Sequence, residues 1–188
     1  MATYEEIDAL ERHILDLKSK RTELIRQMPR EEVKDYSFDR AGGGTVTLCE
    51  LFGTKDDLLV VHNMGRRCRY CTLWADGFES MRRHLESRAE FVLVSNDDSA
   101  TANEFAKSRG WTFTVLSGKD GDFTKDMGYA SEEHGSMPGV SAFRKDPDGR
   151  IYRTGHVFFG PGDDFCPTWH FFDLFQDGAN GWEPQFTY

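Results

Sequence analysis

The run Leu58-Leu59-Val60-Val61-His62-Asn63-Met64-Gly65-Arg66-Arg67-Cys68-Arg69-Tyr70-Cys71-Thr72-Leu73-Trp74 decides how this chain is read. Leu58 to His62 is a short buried-strand signal, and an amphipathic stretch begins near Thr72, so the paired cysteines stand where a strand hands over to a helix. A thiolate at that junction faces unpaired backbone N–H groups and the positive end of the helix dipole, and both stabilise the anion. Arg66, Arg67 and Arg69 surround the pair and are expected to push the same way by Coulomb attraction. The spacing lets one sulfur reach the other without unfolding the turn. In a reducing compartment such a pair signals redox chemistry or metal binding more often than a static crosslink.

Towards the C-terminus the alternation is regular. Leu58–His62, Phe91–Ser95 and Phe113–Leu116 read as strands, and Thr72–Leu85 and Ser99–Ser108 as the helices between them. Leu73 or Trp74, Phe78, Met81 and Leu85 form the expected buried stripe of the first helix; Asp98 or Ser99 caps the second and Gly110 ends it. A βαβαβ order means a parallel sheet at the core. Val140–Arg144 and Ile151–Thr154, joined by Asp146-Pro147-Asp148-Gly149, read as a hairpin, and a short aromatic helix is expected near Thr168–Phe175. The stretch from Ser117 to Ser136, rich in Gly, Asp and Glu, reads as a surface excursion.

Towards the N-terminus, Ile7, Leu10, Ile14, Leu17, Leu24 and Met28 recur in steps of three and four, interrupted by Arg21, which gives one long amphipathic helix from Tyr4 to about Met28. Pro29 closes it, because the residue before a proline is driven out of helical geometry. Such a helix either lies over its own domain or serves as a dimerisation arm. Residues 1–34 therefore form an extension and 35–188 the main domain. Asp39-Arg40-Ala41-Gly42-Gly43-Gly44, between extended pieces at Tyr36–Phe38 and Thr45–Leu48, suggests a hairpin. It lacks the lysine and the following helix of a phosphate-binding loop.

At 188 residues the chain accommodates one domain with a full core plus an appendage. Its 23 basic and 32 acidic side chains give a net charge of −9, which opposes nucleic acid or an anionic membrane as partner. No apolar run is long enough to span a bilayer, and the polar, acidic N-terminus is unlike a secretory signal, so a cytoplasmic location is expected. Four cysteines are too few and too unevenly placed for a disulfide framework.

Strand, CxxC, helix, strand, helix, then a proline opening a hairpin and a final helix is the order of the thioredoxin-like fold, a central mixed sheet flanked by helices, and the chain resembles that superfamily. Met137-Pro138 stands where thioredoxin-like proteins carry a cis-proline beside the dithiol. More narrowly, the N-terminal helix, Leu51-Phe52-Gly53, Cys71-Thr72-Leu73-Trp74-Ala75-Asp76-Gly77-Phe78, Phe91-Val92-Leu93-Val94-Ser95, Gly110-Trp111-Thr112-Phe113 and Pro138-Gly139-Val140-Ser141 are similar to a bacterial thioredoxin-like family described as a domain of unknown function. The Trp-Ala-Asp-Gly run is the most specific part of that likeness, which covers nearly the whole chain.

The superfamily resemblance implies thiol–disulfide exchange on an unidentified thiol or disulfide substrate with an unidentified reductant, and no cofactor. Cys68 takes the role of attacking thiolate and Cys71 of resolving thiol. Met137, Pro138, Arg67, Arg69 and Tyr70 would meet the substrate, with the backbone edge of Met137 open to an extended chain. His62 has the offset of the buried proton-transferring aspartate of thioredoxins; an imidazole titrates in the right range for that task, and a satisfied core histidine is the other reading.

Two further readings stand beside this one. Cys71 also matches the peroxidatic cysteine of peroxiredoxins, with Cys68 where their threonine belongs and Arg144 as the nearest candidate for their arginine. Cys68, Cys71, Cys166 and His170 are residue types that a tetrahedral zinc accepts, which would make the dithiol part of a non-catalytic binding module. Cys49 is expected in the core. Trp74 should point inward, Trp111, Trp169 and Trp182 read as core or interface, and Phe158, Phe159, Phe165, Phe171, Phe172 and Phe175 should cover a sheet face or form a subunit contact, so a homodimer through either terminus is conceivable.

Overall fold

The structure, a computed structural model, describes residues 2–41 and 43–188; Gly42, within the expected glycine turn, lies outside them. In chain order the elements are α1 (Tyr4–Gln27), β1 (Glu31–Val33), β2 (Ser37–Arg40), β3 (Thr45–Thr47), α2 (Leu48–Leu51), β4 (Asp57–Asn63), α3 (Arg69–Arg88), β5 (Glu90–Ser95), α4 (Ser99–Arg109), β6 (Thr114–Ser117), α5 (Phe123–Asp126), β7 (Ala130–Ser131), β8 (Gly135–Ser136), β9 (Gly139–Lys145), β10 (Ile151–Phe158) and α6 (Thr168–Phe172). The main sheet runs β1-β10-β9-β4-β5-β6-β2-β3. Its parallel centre is β4, β5 and β6, as the βαβαβ pattern requires, and β9 joins β4 antiparallel from the other side. This is the mixed sheet of the expected thioredoxin-like fold.

Alternation along the strands divides the core in two. Leu58, Val60, Val92, Val94, Leu116 and Phe143 face one way, onto Phe38, Phe52, Phe123, Met127 and Tyr129. Val61, Phe91 and Leu93 face the other way, onto Trp74, Ala75 and Phe78 of α3, Ala106 of α4, and Phe159, Cys166 and Trp169 of the C-terminal segment. In α3, Trp74 and Phe78 are buried as the periodicity asks, whereas Met81 is 38% exposed and Leu85 half-buried, because the buried stripe drifts to Cys71, Ala75 and Phe78 at its inner end. Asp98 caps α4 by accepting from the Thr101 N–H, and Gly110 ends it with φ of 74°.

Four features differ from the sequence reading. The segment from Ser117 to Ser136 is no surface excursion: Phe123 and Tyr129 are fully buried and close one face of the sheet. Gly139 makes room for this, since a Cβ there would collide with the Tyr129 ring and the Val157 carbonyl. Secondly, β1 pairs with β10, so the sheet begins at Glu31, inside the expected extension. Thirdly, Cys49 is only half-buried, packed at the margin of the first cluster. Fourthly, the expected aromatic cover is partial: Phe159 and Trp169 are buried, but Phe158, Phe171 and Phe175 are 45%, 65% and 60% exposed. No described helix is long and apolar enough to cross a membrane.

Candidate redox site

Cys68 is the N-cap of α3, with extended backbone (φ −89°, ψ 104°), and its sulfur accepts the Cys71 N–H at 3.0 Å. A helix's first N–H groups have no carbonyl partner within the helix, and here a sulfur takes one of them as a serine or aspartate oxygen does elsewhere. The turn is fastened further by Thr72, whose N–H and Oγ1 both donate to the Cys68 carbonyl, at 3.1 and 3.0 Å. Cys68 is half-buried and Cys71 buried, and all four cysteines are thiols.

The two thiols differ in pKa. That of Cys68 is lowered to about 7, chiefly by hydrogen bonding from the Cys71 side chain, with the Cys71 and Tyr70 N–H groups adding to it and partial burial opposing. That of Cys71 is pushed strongly up, first by the hydrogen bond it gives to Cys68, then by burial and by the charge on Cys68. The arginines do not take the part expected of them and are absent from the causes of the Cys68 shift. Arg69 is turned to Glu183 at 3.1 Å, and Arg66 and Arg67 stand in solvent, which screens their charge.

The loop before the helix is held by residues that the sequence reading passed over. Gly65 has φ of 100°, and a Cβ there would strike the Asp97 carboxylate. Its N–H donates to Asn63 Oδ1 at 2.7 Å, its carbonyl accepts the Cys68 N–H at 3.1 Å, and the next N–H, of Arg66, donates to Asp97 Oδ2 at 2.6 Å. Asp97 is fixed in turn, its N–H on Ser95 Oγ and its carbonyl on Ser117 Oγ. The available signals were a glycine between strand and cysteine pair and the polar run Asn96-Asp97-Asp98 after a strand.

His62 is not beside the dithiol. It shares the face of Leu58 and Val60, opposite to α3, where it stacks on Tyr129 at 3.7 Å between ring centroids and bonds through Nε2 to Ser141 Oγ at 3.0 Å. Burial holds it neutral, with a pKa down to about 3, and neither cysteine feels it. The proton-carrier expectation is therefore corrected: its place in the sequence matches, but strand alternation turns the ring away.

Met137 and Pro138 do lie at the cysteine end of the sheet, since Gly139 pairs with His62 near the end of β4. The bond between them is trans, contrary to expectation, as no described peptide bond is cis. Pro138 is buried, and its carbonyl accepts from Phe159; the Met137 N–H is already given to the Tyr129 carbonyl, and the Met137 side chain is 38% exposed. It borders a surface pocket of about 420 Å³ with Phe158, His134 and Ser131. Tyr70 is half-buried and stacks parallel on Trp169 with centroids 6.1 Å apart. Arg144 binds Asp57 at the opposite end of β4 and so cannot serve the cysteines.

The zinc set is not assembled. Among the described residues no three His, Cys, Asp or Glu side chains gather as metal ligands. Cys166 is packed in the α3-side core, its sulfur on Thr168, and His170 is exposed with Nε2 on the Asp163 carbonyl.

The chain belongs to the family described as a bacterial protein of unknown function (DUF899), whose model matches residues 4–185. It is also 32% identical over 92 residues to chloroplastic peroxiredoxin Q of Triticum aestivum, covering 48% of this chain and 42% of that protein, so it spans under half the length of that relative. Among solved structures it is similar to peroxidoxin BcpB of Mycobacterium tuberculosis, with 21% identity, a TM-score of 0.52 and coverage of 65% of this chain and 80% of that one. It is similar also to reduced Prx3 of Vibrio vulnificus in complex with hydrogen peroxide, at 15% identity, TM-score 0.54, and 73% and 91% coverage. A secreted M. tuberculosis disulfide oxidoreductase gives 16% identity, TM-score 0.50, and 67% and 84% coverage. These likenesses agree with the thioredoxin-like fold.

Proposed function

We propose that the protein is a thiol-based redox protein working through Cys68 and Cys71 as thiol and disulfide by turns. The observation that carries this is the pair's asymmetry: a half-exposed sulfur at a helix N-terminus, acidified to about 7, next to a buried thiol that keeps its proton. In thiol–disulfide exchange the Cys68 thiolate attacks one sulfur of a substrate disulfide and forms a mixed disulfide, and the other sulfur leaves as a thiolate. Cys71 then gives up its proton and attacks the Cys68 sulfur, expelling the second substrate thiolate. The substrate gains two electrons and the protein holds a Cys68–Cys71 disulfide, which a dithiol reductant reopens.

No histidine is needed for the second step. Once Cys68 is bonded to substrate, the main cause of the raised Cys71 pKa, its hydrogen bond to the Cys68 sulfur, weakens, and the charge on Cys68 disappears. Cys71 is thereby released to ionise when it is required.

A second reading, reduction of a hydroperoxide, is favoured by the likeness to peroxiredoxin Q. Cys71 holds the place of the peroxidatic cysteine in that likeness but is buried and keeps its proton, so here the Cys68 thiolate would attack the terminal peroxide oxygen, releasing an alcohol or water and leaving a sulfenic acid, with which Cys71 would condense, losing water. The experiment is to follow both reactions in single-cysteine variants. Cys71→Ser should trap a mixed disulfide through Cys68, and Cys68→Ser should abolish turnover of either substrate. Turnover that survives in Cys68→Ser would overturn the assignment of the attacking sulfur, and consumption of peroxide but not of disulfides would replace the first reading with the second.

A further inference from the structure

Helix α1 is 24 residues long, and none of its residues is buried. Its C-terminal half is tied to the domain by one strip: Lys18 and Arg21 reach Asp164 at 2.5 and 3.1 Å, and Ile25 lies against Gly155 of β10. The neighbouring strip is apolar and uncovered, with Ile7, Leu10, Ile14, Leu17 and Leu24 all between 42% and 65% exposed. With Arg21 at the place between Leu17 and Leu24, these positions step alternately by three and four, the spacing of the seam of a two-stranded coiled coil. A helix of this length whose apolar side meets only water is marginal, since helices in proteins draw most of their stability from packing that side.

Charge indicates what covers the seam. From Tyr4 to Leu15 the helix carries four carboxylates, Glu5, Glu6, Asp8 and Glu11, against Arg12; from Asp16 to Gln27 it carries four cations, Lys18, Lys20, Arg21 and Arg26, against Asp16 and Glu23. A parallel pair would lay acid on acid, base on base and Arg21 on Arg21 within the seam. An antiparallel pair lays the acidic half of each copy on the basic half of the other, with Ile7 across from Leu24, Leu10 from Arg21 and Ile14 from Leu17. From this complementarity we infer that α1 is a dimerisation arm whose seam is filled by α1 of a second copy, running antiparallel.

The test is sedimentation velocity on the full chain. The wild type should be a dimer at concentrations on the order of 10 μM, and Leu10→Glu combined with Leu17→Glu should raise the dissociation constant by about 100-fold or more. No core residue is touched, so an unchanged near-ultraviolet spectrum confirms that the variant is folded. Glu11→Lys should weaken the dimer several-fold at low salt and much less at about 1 M salt. A wild type that stays monomeric to about 100 μM, or a double variant that dimerises as well as the wild type, overturns the inference. Orientation is read from pyrene on the N-terminal amine: antiparallel ends lie about 36 Å apart and give no excimer, so excimer emission would exclude this pairing.

Discussion

At the scale of single residues, the site is a sulfur held in a capping position. Because the Cys71 side chain is the leading cause of the lowered Cys68 pKa, alkylation of Cys68 followed against pH should show a midpoint near 7, and Cys71→Ala should move that midpoint up towards ordinary thiols. Cys71, buried and holding its proton, should be alkylated only after Cys68, whose modification removes the hydrogen bond and the charge that raise the Cys71 pKa. Asp97 touches neither sulfur, yet it accepts the Arg66 N–H and blocks any side chain at position 65. It is a positioning residue. Asp97→Ala should loosen the loop and raise the Cys68 midpoint while far-ultraviolet circular dichroism stays unchanged; an unmoved midpoint would show that the loop holds its shape without it.

At the scale of elements, the Trp-Ala-Asp-Gly run earns its place by joining α3 to its neighbours. The Trp74 indole donates to Asp163 at 3.3 Å, and Asp76 accepts from the Trp111 indole at 2.8 Å and from Arg109 at the end of α4. Asp76→Ala leaves that indole N–H without its acceptor and the Arg109 guanidinium with the Phe186 carbonyl alone, for an expected loss of about 1–3 kcal/mol in urea denaturation, with no change in the Cys68 midpoint. The elements themselves were largely legible in the sequence. Alternation and capping residues place β4, α3, β5, α4 and β6 to within a few residues of where they lie, because these are long, periodic and locally signalled. What was not legible depends on distant partners. Nothing local in Phe123-Thr124-Lys125-Asp126-Met127-Gly128-Tyr129 marks it as core, and only the gap left by Gly139 admits the Tyr129 ring. Tyr129→Ala is expected to cost about 3–5 kcal/mol, measurable in the same denaturation, whereas a true surface loop would lose almost nothing. For the site, the cysteines and their neighbourhood were readable, but the facing of His62 and the turning of Arg69 to Glu183 were not, since offsets along a chain do not say which way a side chain points.

At the scale of the whole molecule, one buried imidazole couples fold stability to pH. His62 titrates near 6.5 when unfolded and only near 3 when folded, so below pH 6.5 the unfolded chain binds a proton that the native state refuses. Stability should therefore fall as pH drops from about 6.5 towards 3, by roughly 3 kcal/mol at most from this group between pH 7 and 4, and His62→Leu should flatten that decline. The cysteine pair lies on the other side of the sheet, so the same substitution should leave Cys68 reactivity alone; a shifted Cys68 midpoint would restore the histidine to the proposed chemistry. The most direct test of the whole proposal is equilibration of the wild-type protein in buffers of graded thiol–disulfide potential, with the cysteines counted and mapped by mass spectrometry at each step. The expected result is one two-electron transition between about −300 and −120 mV that joins Cys68 to Cys71 and leaves Cys49 and Cys166 as thiols. A protein whose Cys68 and Cys71 stay reduced in the most oxidising buffer, or pair with other cysteines, would contradict it.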